Sequence, residues 1–324
     1  MEKTALSQRE SLTPFRIAPE FVERIWGWND LHPWYNFKTK GGPVGEVWLT
    51  GDQCHVDGGR LNGERLDAVF AAHAEALLGA GAEAASPLLL KVIFARQKLS
   101  VQVHPDDQMA HKYGQPRGKT ECWYVLAAEP GAEVACGLKP GVTLDQVKRG
   151  IADGTLEESL ERVQVEPGEM IFVDAGTVHA IWPGSVLLET QQNCDLTYRM
   201  YDYGRGRELH VEKSLEAVKF TTKAGRVAPQ QLAGRTILLD AKYFRVEQVE
   251  VDRSIGSAAL QGADTPRLAY LFAAAGTARI AGAGFVPVEL TRGGIVAVPA
   301  SSPEFVLEDL GELKLIRVSV RSGR

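Results

Sequence analysis

The chain has 324 residues, 44% of them hydrophobic, which is enough apolar material for two compact cores. Its formal net charge of −5 and the lack of a long Lys/Arg run argue against binding to nucleic acid or to an anionic membrane surface. No segment approaches the roughly 20 consecutive apolar residues of a membrane span, and residues 1–12 lack the apolar core of a signal peptide. We therefore expect a cytoplasmic protein, and nothing implies an obligate protein partner.

Short apolar or alternating runs separated by Gly and Pro dominate the chain and predict strands. The clearest runs are Leu88–Phe94, Trp123–Leu126, Met170–Val173 and Val186–Glu189. Few helices are expected, at about 64–79, at 143–163 with Thr143 as N-cap, and at 212–218. The four cysteines, Cys54, Cys122, Cys136 and Cys194, have no CxxC spacing, which predicts free thiols.

This pattern is typical of antiparallel sandwiches and barrels, a class that includes jelly rolls. The polar stretch 222–233 is the candidate linker, because every histidine precedes it and none follows. We predict domains at 1–221 and 234–324. A faint internal repeat supports this division: Gly168–His179 can be laid over Gly293–Glu304, with Glu304 in the place of His179.

Polar residues interrupt three of the predicted strand segments. Ser100, Gln102 and His104 alternate along one segment and therefore share a face. Lys119 and Glu121 do the same in Gly118–Leu126. Taken singly, each group has a simpler interpretation, namely a solvent-facing strand edge or a surface salt bridge.

The third segment, Pro167–His179, is a turn, a strand and a tight Gly turn that ends in His179. A lone histidine in this position is more often a structural residue than a metal ligand. Together, the three segments offer imidazoles, a carboxylate and an amide oxygen, which suit a divalent cation of borderline hardness. Three or four protein ligands leave positions open for substrate, as in Lewis-acid catalysis.

A fourth polar segment, Leu187–Arg205, contains Glu189 and Arg199 among residues of high strand propensity. Its Gln-Gln-Asn tract at 191–193 is unusual inside a strand. Arg199 has an alternative interpretation as the ion-pair partner of Asp195 or Asp202.

In these four segments the sequence resembles the type I mannose-6-phosphate isomerases, in their short bacterial form. The resemblance rests on the order Leu-Ser-Val-Gln-Val-His-Pro-Asp, Gly-Lys-Thr-Glu-Cys-Trp-Tyr, Ala-Gly-Thr-Val-His-Ala and Gln-Gln-Asn-Cys-Asp-Leu-Thr-Tyr-Arg. It covers roughly residues 20 to 215. Arg24-Ile-Trp-Gly27 and Gly45-Glu-Val-Trp48 also resemble early segments of the family.

The resemblance implies an all-β cupin jelly roll (double-stranded β-helix) with a few inserted helices, followed by a smaller, degenerate cupin-like domain. It implies one Zn2+ per chain, and the matching ligands are Gln102, His104, Glu121 and His179. Lys91 and Ser100 match positions near the substrate phosphate. Lys119, Glu189 and Arg199 match positions near the reacting carbons.

The implied reaction interconverts mannose 6-phosphate and fructose 6-phosphate through an enediolate, whose charge zinc, Arg199 and Lys119 would stabilise. Glu189 is the favoured base, because we expect burial to raise its pKa, and Lys119 is the competing candidate. Two alternatives stay open. One is another cupin metalloenzyme, such as an iron dioxygenase or an epimerase, and the other is a non-catalytic sugar-phosphate-binding cupin.

Overall fold

The computed structural model describes residues 11–262 and 267–321. Its strands are β1 (Phe15–Ala18), β2 (Glu20–Trp28), β3 (Val44–Trp48), β4 (His55–Asp57), β5 (Leu88–Ala95), β6 (Val101–Val103), β7 (Glu121–Ala128), β8 (Glu133–Leu138), β9 (Leu160–Gln164), β10 (Met170–Val173), β11 (His179–Ile181), β12 (Ser185–Gln192), β13 (Tyr198–Tyr201), β14 (Gly225–Arg226), β15 (Gln230–Leu232), β16 (Arg235–Asp240), β17 (Phe244–Val249), β18 (Ser254–Gly256), β19 (Ala269–Gly282), β20 (Val288–Thr291), β21 (Ile295–Val298) and β22 (Phe305–Val320). Its helices are α1 (Leu66–Leu78), α2 (Asp107–Lys112), α3 (Leu144–Asp153), α4 (Val211–Ala217) and α5 (Ser257–Gln261). Among the described residues, no helix has the length and apolarity to cross a membrane.

The chain divides into two compact units. The first combines the described residues up to Pro19 with Asp52–Ser86 and with the residues from Gln230 onward. The second combines Glu20–Gly51 with Pro87–Pro229.

These units are assembled differently from the predicted domains at 1–221 and 234–324, which stay a prediction. In the first unit β1 pairs with β21 of the C-terminal region, with Phe15 opposite Ala297. The end of α1 joins the same region, since Ala300 N donates a hydrogen bond to Leu77 O over 2.9 Å. The helix predicted at 64–79 is therefore present but belongs to the first unit. The predicted linker 222–233 contains β14 and β15, which pair with β10 and β16.

The second unit contains two antiparallel sheets, of seven and five strands. The larger has the order β14-β10-β7-β12-β5-β3-β2 and the smaller the order β13-β6-β11-β8-β9. Ile93, Trp123 and Leu187 of the larger sheet form one buried cluster with Val134 and Ile181 of the smaller. Two sheets that share a core in this way form a sandwich of the jelly-roll class.

Alternation along the five-stranded sheet separates its two faces. Val101 and Val103 of β6 pack in a second buried cluster with Val147 of α3 and Ala217 of α4. Gln102, between the two valines, therefore projects from the opposite face, which is turned away from these helices. The face that carries Gln102 is therefore the one that Val134 and Ile181 pack against the seven-stranded sheet, and its polar groups lie beside this apolar cluster.

The helix predicted at 143–163 is confirmed in its first part and wrong in its second. Thr143 caps α3 in a capping box with Gln146, as predicted. The helix ends at Gly154, which has a φ of 74° that favours glycine. Residues 160–164 instead form β9, which pairs with β8 and places Gln164 opposite Glu133. The helix predicted at 212–218 corresponds to α4.

The first unit is built on one ten-stranded sheet in which β19 and β22 form the longest pair. Its β21 spans Ile295–Val298, and β10 in the second unit spans Met170–Val173. These two strands occupy equivalent positions in the predicted repeat of Gly168–His179 and Gly293–Glu304. The turn-strand pattern that suggested the repeat is thus present in both segments.

Candidate metal centre

Three polar residues line up across adjacent strands of the five-stranded sheet. Gln102 of β6 lies opposite His179 of β11 on one side and opposite Arg199 of β13 on the other. Directly opposed residues of an antiparallel pair share a face. Ser100 lies beside them, since its hydroxyl donates a hydrogen bond to Gln102 Oε1 over 3.2 Å.

The seven-stranded sheet contributes a second polar row. Lys91 of β5, Glu189 of β12 and Trp123 of β7 are in register. Glu121 precedes Trp123 by two residues and therefore projects from the same face. All four side chains are buried.

Residues from the two sheets meet in a compact cluster. One potential ligand atom from each of His104, Glu121 and His179 lies within 4.8 Å of the others. His104 Nε2 is 3.4 Å from Glu121 Oε2, and His179 Nε2 is 3.4 Å from Glu121 Oε1. The structure thus brings together three of the four predicted ligands. The fourth, Gln102, follows closely, with its amide Nε2 3.2 Å from His179 Nε2.

Both imidazoles are oriented by backbone carbonyls. His104 Nδ1 lies 2.9 Å from Leu196 O, and His179 Nδ1 lies 2.9 Å from Thr177 O. A carbonyl only accepts, so each Nδ1 carries the hydrogen and each Nε2 has a free lone pair. Burial lowers the pKa of His179 to about 4 and that of His104 well below its usual value. Both rings are therefore neutral at pH 7, as metal ligation requires.

The donor atoms of this cluster fit a metal ion. In the part of the chain that the structure describes, His104 Nε2 and Glu121 Oε1 are buried without a hydrogen-bond partner. Buried polar atoms are costly unless they are paired or ligate a metal. Turning the Gln102 amide would bring its oxygen toward His179 Nε2 and add a fourth donor. Two imidazoles, a carboxylate and an amide oxygen suit Zn2+.

Lys119 extends the cluster, with its Nζ 3.0 Å from Glu121 Oε2. Burial, reinforced by the charge of Glu189, raises the pKa of Glu121 to about 7 although Lys119 opposes the shift. A carboxyl group that binds a proton near neutrality will also bind a cation more tightly as that proton leaves.

The surroundings of Glu189 shift its pKa in the direction opposite to the one we expected. Burial alone would raise its pKa, but Lys91 and Lys119 outweigh burial and keep the pKa below its usual value. Glu189 Oε2 lies 2.8 Å from Lys91 Nζ, and Glu189 Oε1 accepts a hydrogen bond of 3.1 Å from Trp123 Nε1. The expected rise in pKa is therefore wrong, and the role of Glu189 as base stays a prediction.

Lys91 is buried between two carboxylates. Its Nζ is 2.8 Å from Glu189 Oε2 and 3.8 Å from Glu46 Oε1. Burial opposes its charge, but Glu189 and Glu46 raise its pKa above the usual value. Lys91 is thus a fixed cation whose charge two neighbouring anions already balance, and its predicted contact with the substrate phosphate stays a prediction.

Arg199 is half-buried and has a backbone partner, because its Nη1 donates to Glu208 O over 2.8 Å. Its Nε is buried and, in the described residues, has no hydrogen-bond partner. Asp202, one of the two ion-pair partners considered for Arg199, instead pairs with Arg205 and Arg207.

The comparisons with known proteins agree on one family. Residues 15–135 match the model of the type I phosphomannose isomerase catalytic domain. The chain is 33% identical over 318 residues to the probable mannose-6-phosphate isomerase GmuF of Bacillus subtilis, covering 93% of this chain and 98% of that protein. It is 37% identical over 264 residues to the mannose-6-phosphate isomerase ManA of the same organism, covering 76% and 82%.

The chain belongs to the type I phosphomannose isomerase family.

Two solved structures extend this likeness. The mannose 6-phosphate isomerase from Bacillus subtilis superposes with a TM-score of 0.84 at 27% identity, over 95% of this chain and 99% of that one. A mannose 6-phosphate isomerase structure bound with zinc and yttrium gives a TM-score of 0.75 at 18% identity, over 96% of this chain and all of that one, and so shares the fold. The predicted family and the predicted all-β cupin fold are confirmed.

Several residues of the phosphomannose isomerase site were not predicted from the sequence. Trp123 Nε1 donates a hydrogen bond to Glu189 Oε1, and the indole ring lies beside the His179 ring, with centroids 5.6 Å apart. Glu46 accepts hydrogen bonds from Trp48 Nε1 over 2.8 Å and from Arg24 Nη2 over 3.0 Å. The available signal was the segment Gly45-Glu-Val-Trp48, which the sequence analysis noted only for its resemblance to the family.

Proposed function

We propose that the protein is a zinc-dependent isomerase that interconverts mannose 6-phosphate and fructose 6-phosphate. The observation that carries this proposal is the buried His104–Glu121–His179 cluster, in which His104 Nε2 and Glu121 Oε1 have no hydrogen-bond partner among the described residues. The chain is also related over 93% of its length to a probable mannose-6-phosphate isomerase. Gln102 completes the proposed ligand set. We propose one zinc ion per chain.

Zinc bound at this cluster would act as a Lewis acid toward the substrate oxygens. The reaction moves a proton between C1 and C2 and develops negative charge on the oxygens of an enediolate. Lys119, fixed beside Glu121, and Arg199, one strand away from Gln102, are the cations that would stabilise this charge.

Two residues compete as proton carrier. Glu189 is ionised at neutral pH because Lys91 lowers its pKa, so a carboxylate oxygen is ready to accept a proton. The contacts of both its oxygens, with Trp123 and Lys91, also hold it in one orientation. We therefore keep Glu189 as the proposed base and Lys119 as the competing candidate.

Substrate orientation would come from groups remote from the reacting carbons. Ser100, a buried hydroxyl beside Gln102, is a donor for a phosphate oxygen. Lys91 would act on the phosphate through its positive charge. Holding the phosphate in place positions C1 and C2 for proton transfer.

We also propose that the protein works in the cytoplasm. All four cysteines are free and buried, which fits a reducing compartment. A free sugar phosphate is the proposed partner molecule, and no nucleic acid or obligate protein partner enters the proposal.

Turnover by the purified, zinc-loaded protein tests the function. We expect conversion of mannose 6-phosphate to fructose 6-phosphate, loss of this conversion after chelation, and its recovery when zinc is returned. Glucose 6-phosphate, the C2 epimer, is the matched control for substrate preference. An absence of turnover at full zinc occupancy would contradict the isomerase assignment and leave the metal site standing.

A further inference from the structure

The short segment that carries Lys119 is held by three consecutive backbone N–H groups. Gly118 N donates to Asp107 Oδ1 over 2.9 Å and Lys119 N donates to Pro105 O over 3.0 Å. Thr120 N donates to Gln192 Oε1 over 2.9 Å. Two of these three acceptors are side-chain oxygens, so single substitutions can remove them without altering the backbone.

Gln192 accepts the hydrogen bond from Thr120 N and also contacts Asp107, the acceptor for Gly118 N. Its side chain is buried, and its Nε2 donates to Asp107 Oδ1 over 3.0 Å. The orientation of the amide follows from its partners, because a carboxylate can only accept and a backbone N–H can only donate. Asp107 Oδ1 therefore accepts from both Gly118 and Gln192, and the segment 118–120 is tied at both ends.

Close packing reinforces these hydrogen bonds. A Cβ at Gly118 would lie 2.4 Å from Asp106 C and 2.6 Å from Asp107 N. The backbone at Gly118 therefore packs directly on the residues that follow the ligand His104. Together the contacts connect the chain after His104 with the chain before Glu121.

We propose that Gln192, anchored by Asp107, is a positioning residue for Lys119. By fixing the backbone at Thr120 and Gly118, it holds Lys119 so that Nζ lies 3.0 Å from Glu121 Oε2. Gln192 acts through Lys119, not on substrate or metal. The expected effect of Gln192 on turnover rests on the proposed function. Its effect on the backbone of residues 118–120 rests on the hydrogen bonds alone.

The variant Gln192→Met keeps the size of the side chain and removes both hydrogen bonds. We expect kcat to fall on the order of tenfold to a hundredfold, since small displacements of a reacting group cost this much. KM and zinc content should stay at the wild-type values. The same substitution at an exposed strand position, Gln164→Met, is the matched control and should leave all three unchanged.

A double-mutant cycle tests whether the effect passes through Lys119. In a Lys119→Met background, adding Gln192→Met should lower kcat by less than about twofold, because the group to be positioned is gone. An equal loss of kcat in both backgrounds would overturn the proposal, since Gln192 would then act independently of Lys119.

Amide hydrogen exchange decides the inference independently of activity. In the zinc-loaded protein, the amides of residues 118–120 should exchange faster in Gln192→Met than in the wild type or in Gln164→Met. Unchanged exchange at these residues overturns the proposal. If the wild type does not isomerise the sugar phosphate, the proposed function fails while the exchange measurement still decides whether Gln192 holds the segment.

Discussion

Trp123 Nε1 donates a hydrogen bond of 3.1 Å to Glu189 Oε1, and both side chains are buried on neighbouring strands of the seven-stranded sheet. The bond is one of the contacts that lower the pKa of Glu189. The same indole packs against the ring of His179. Trp123 therefore contacts both Glu189, the proposed base, and His179, a proposed metal ligand.

Replacing Trp123 with Phe tests this connection. The variant leaves Glu189 Oε1 without its donor, so we expect a loss of about 1–3 kcal/mol in the free energy of unfolding. The pKa of Glu189 should rise, which would move the acidic limb of the kcat/KM profile to higher pH. Urea unfolding and a pH–rate profile measure the two effects. An unshifted acidic limb would show that Glu189 does not govern it.

The pH profile also separates the two candidate bases. Glu189 has a lowered pKa, so with Glu189 as base the activity should persist below pH 5 and fall only as the carboxylate binds a proton. With Lys119 as base, Lys119→Met should abolish turnover and Glu189→Gln should leave the acidic limb in place. The measurement is kcat/KM for the wild type, Glu189→Gln and Lys119→Met at constant zinc occupancy. An acidic limb that is unchanged in Glu189→Gln would exclude Glu189 as the base.

Zinc affinity should depend on pH through Glu121. Burial raises the pKa of Glu121 to about 7, so below pH 7 a proton competes with the metal and affinity falls. His179 adds little above pH 5, because its pKa is about 4. Competition titration with a zinc chelator at pH 5.5, 6.5 and 7.5 should show this dependence in the wild type. Glu121→Gln should bind zinc more weakly, and its zinc affinity should no longer depend on pH over this range. If the affinity of Glu121→Gln depends on pH as in the wild type, the competing protons bind to the histidines and not to Glu121.

Removing the charge of Lys91 should destabilise the protein strongly. Lys91→Met leaves Glu189 and Glu46 without their shared cation, and an uncompensated buried charge costs about 3–5 kcal/mol. Adding Glu189→Gln removes one of these charges and should recover part of the loss. Urea unfolding of the single and double variants measures the difference. If the losses in the free energy of unfolding caused by the two substitutions simply add, the ion pair between Lys91 and Glu189 does not contribute to stability.

The capping box at the start of α3 provides a prediction remote from the metal centre. Thr143→Ala removes the side chain that accepts from Gln146 N, and the loss of such a cap costs about 1 kcal/mol. The melting temperature should fall while kcat, KM and zinc content stay unchanged. A variant of equal stability would show that other contacts satisfy the first turn of α3.

Local patterns predicted the parts of the site that depend on one segment. Alternation placed Ser100 beside Gln102, and the glycine turn before His179 placed that histidine at the start of a strand. The opposition of Gln102 and His179 could not be predicted from spacing, since it is set by the pairing of β6 with β11. Sequence order suggested only that the four segments converge.

Long-range contacts account for most of what the sequence did not reveal. Glu46 reaches Lys91 because β3 pairs with β5, and this contact gives Lys91 a second carboxylate partner. The effect of Lys91 on Glu189 reversed the expected pKa shift, because proximity to a fixed cation outweighed burial. The helix predicted at 143–163 failed beyond Gly154, where pairing of β9 with β8 outweighed local helix propensity.

Zinc content of the His179→Ala variant tests the central claim most directly. Elemental analysis of the purified wild type should find about one zinc per chain, as expected for a site with three or four protein ligands. His179→Ala should lose both zinc and turnover, while His55→Ala, which changes an exposed histidine on β4, should keep both. Wild-type zinc content in folded His179→Ala would contradict the assignment of His104, Glu121 and His179 as the metal site.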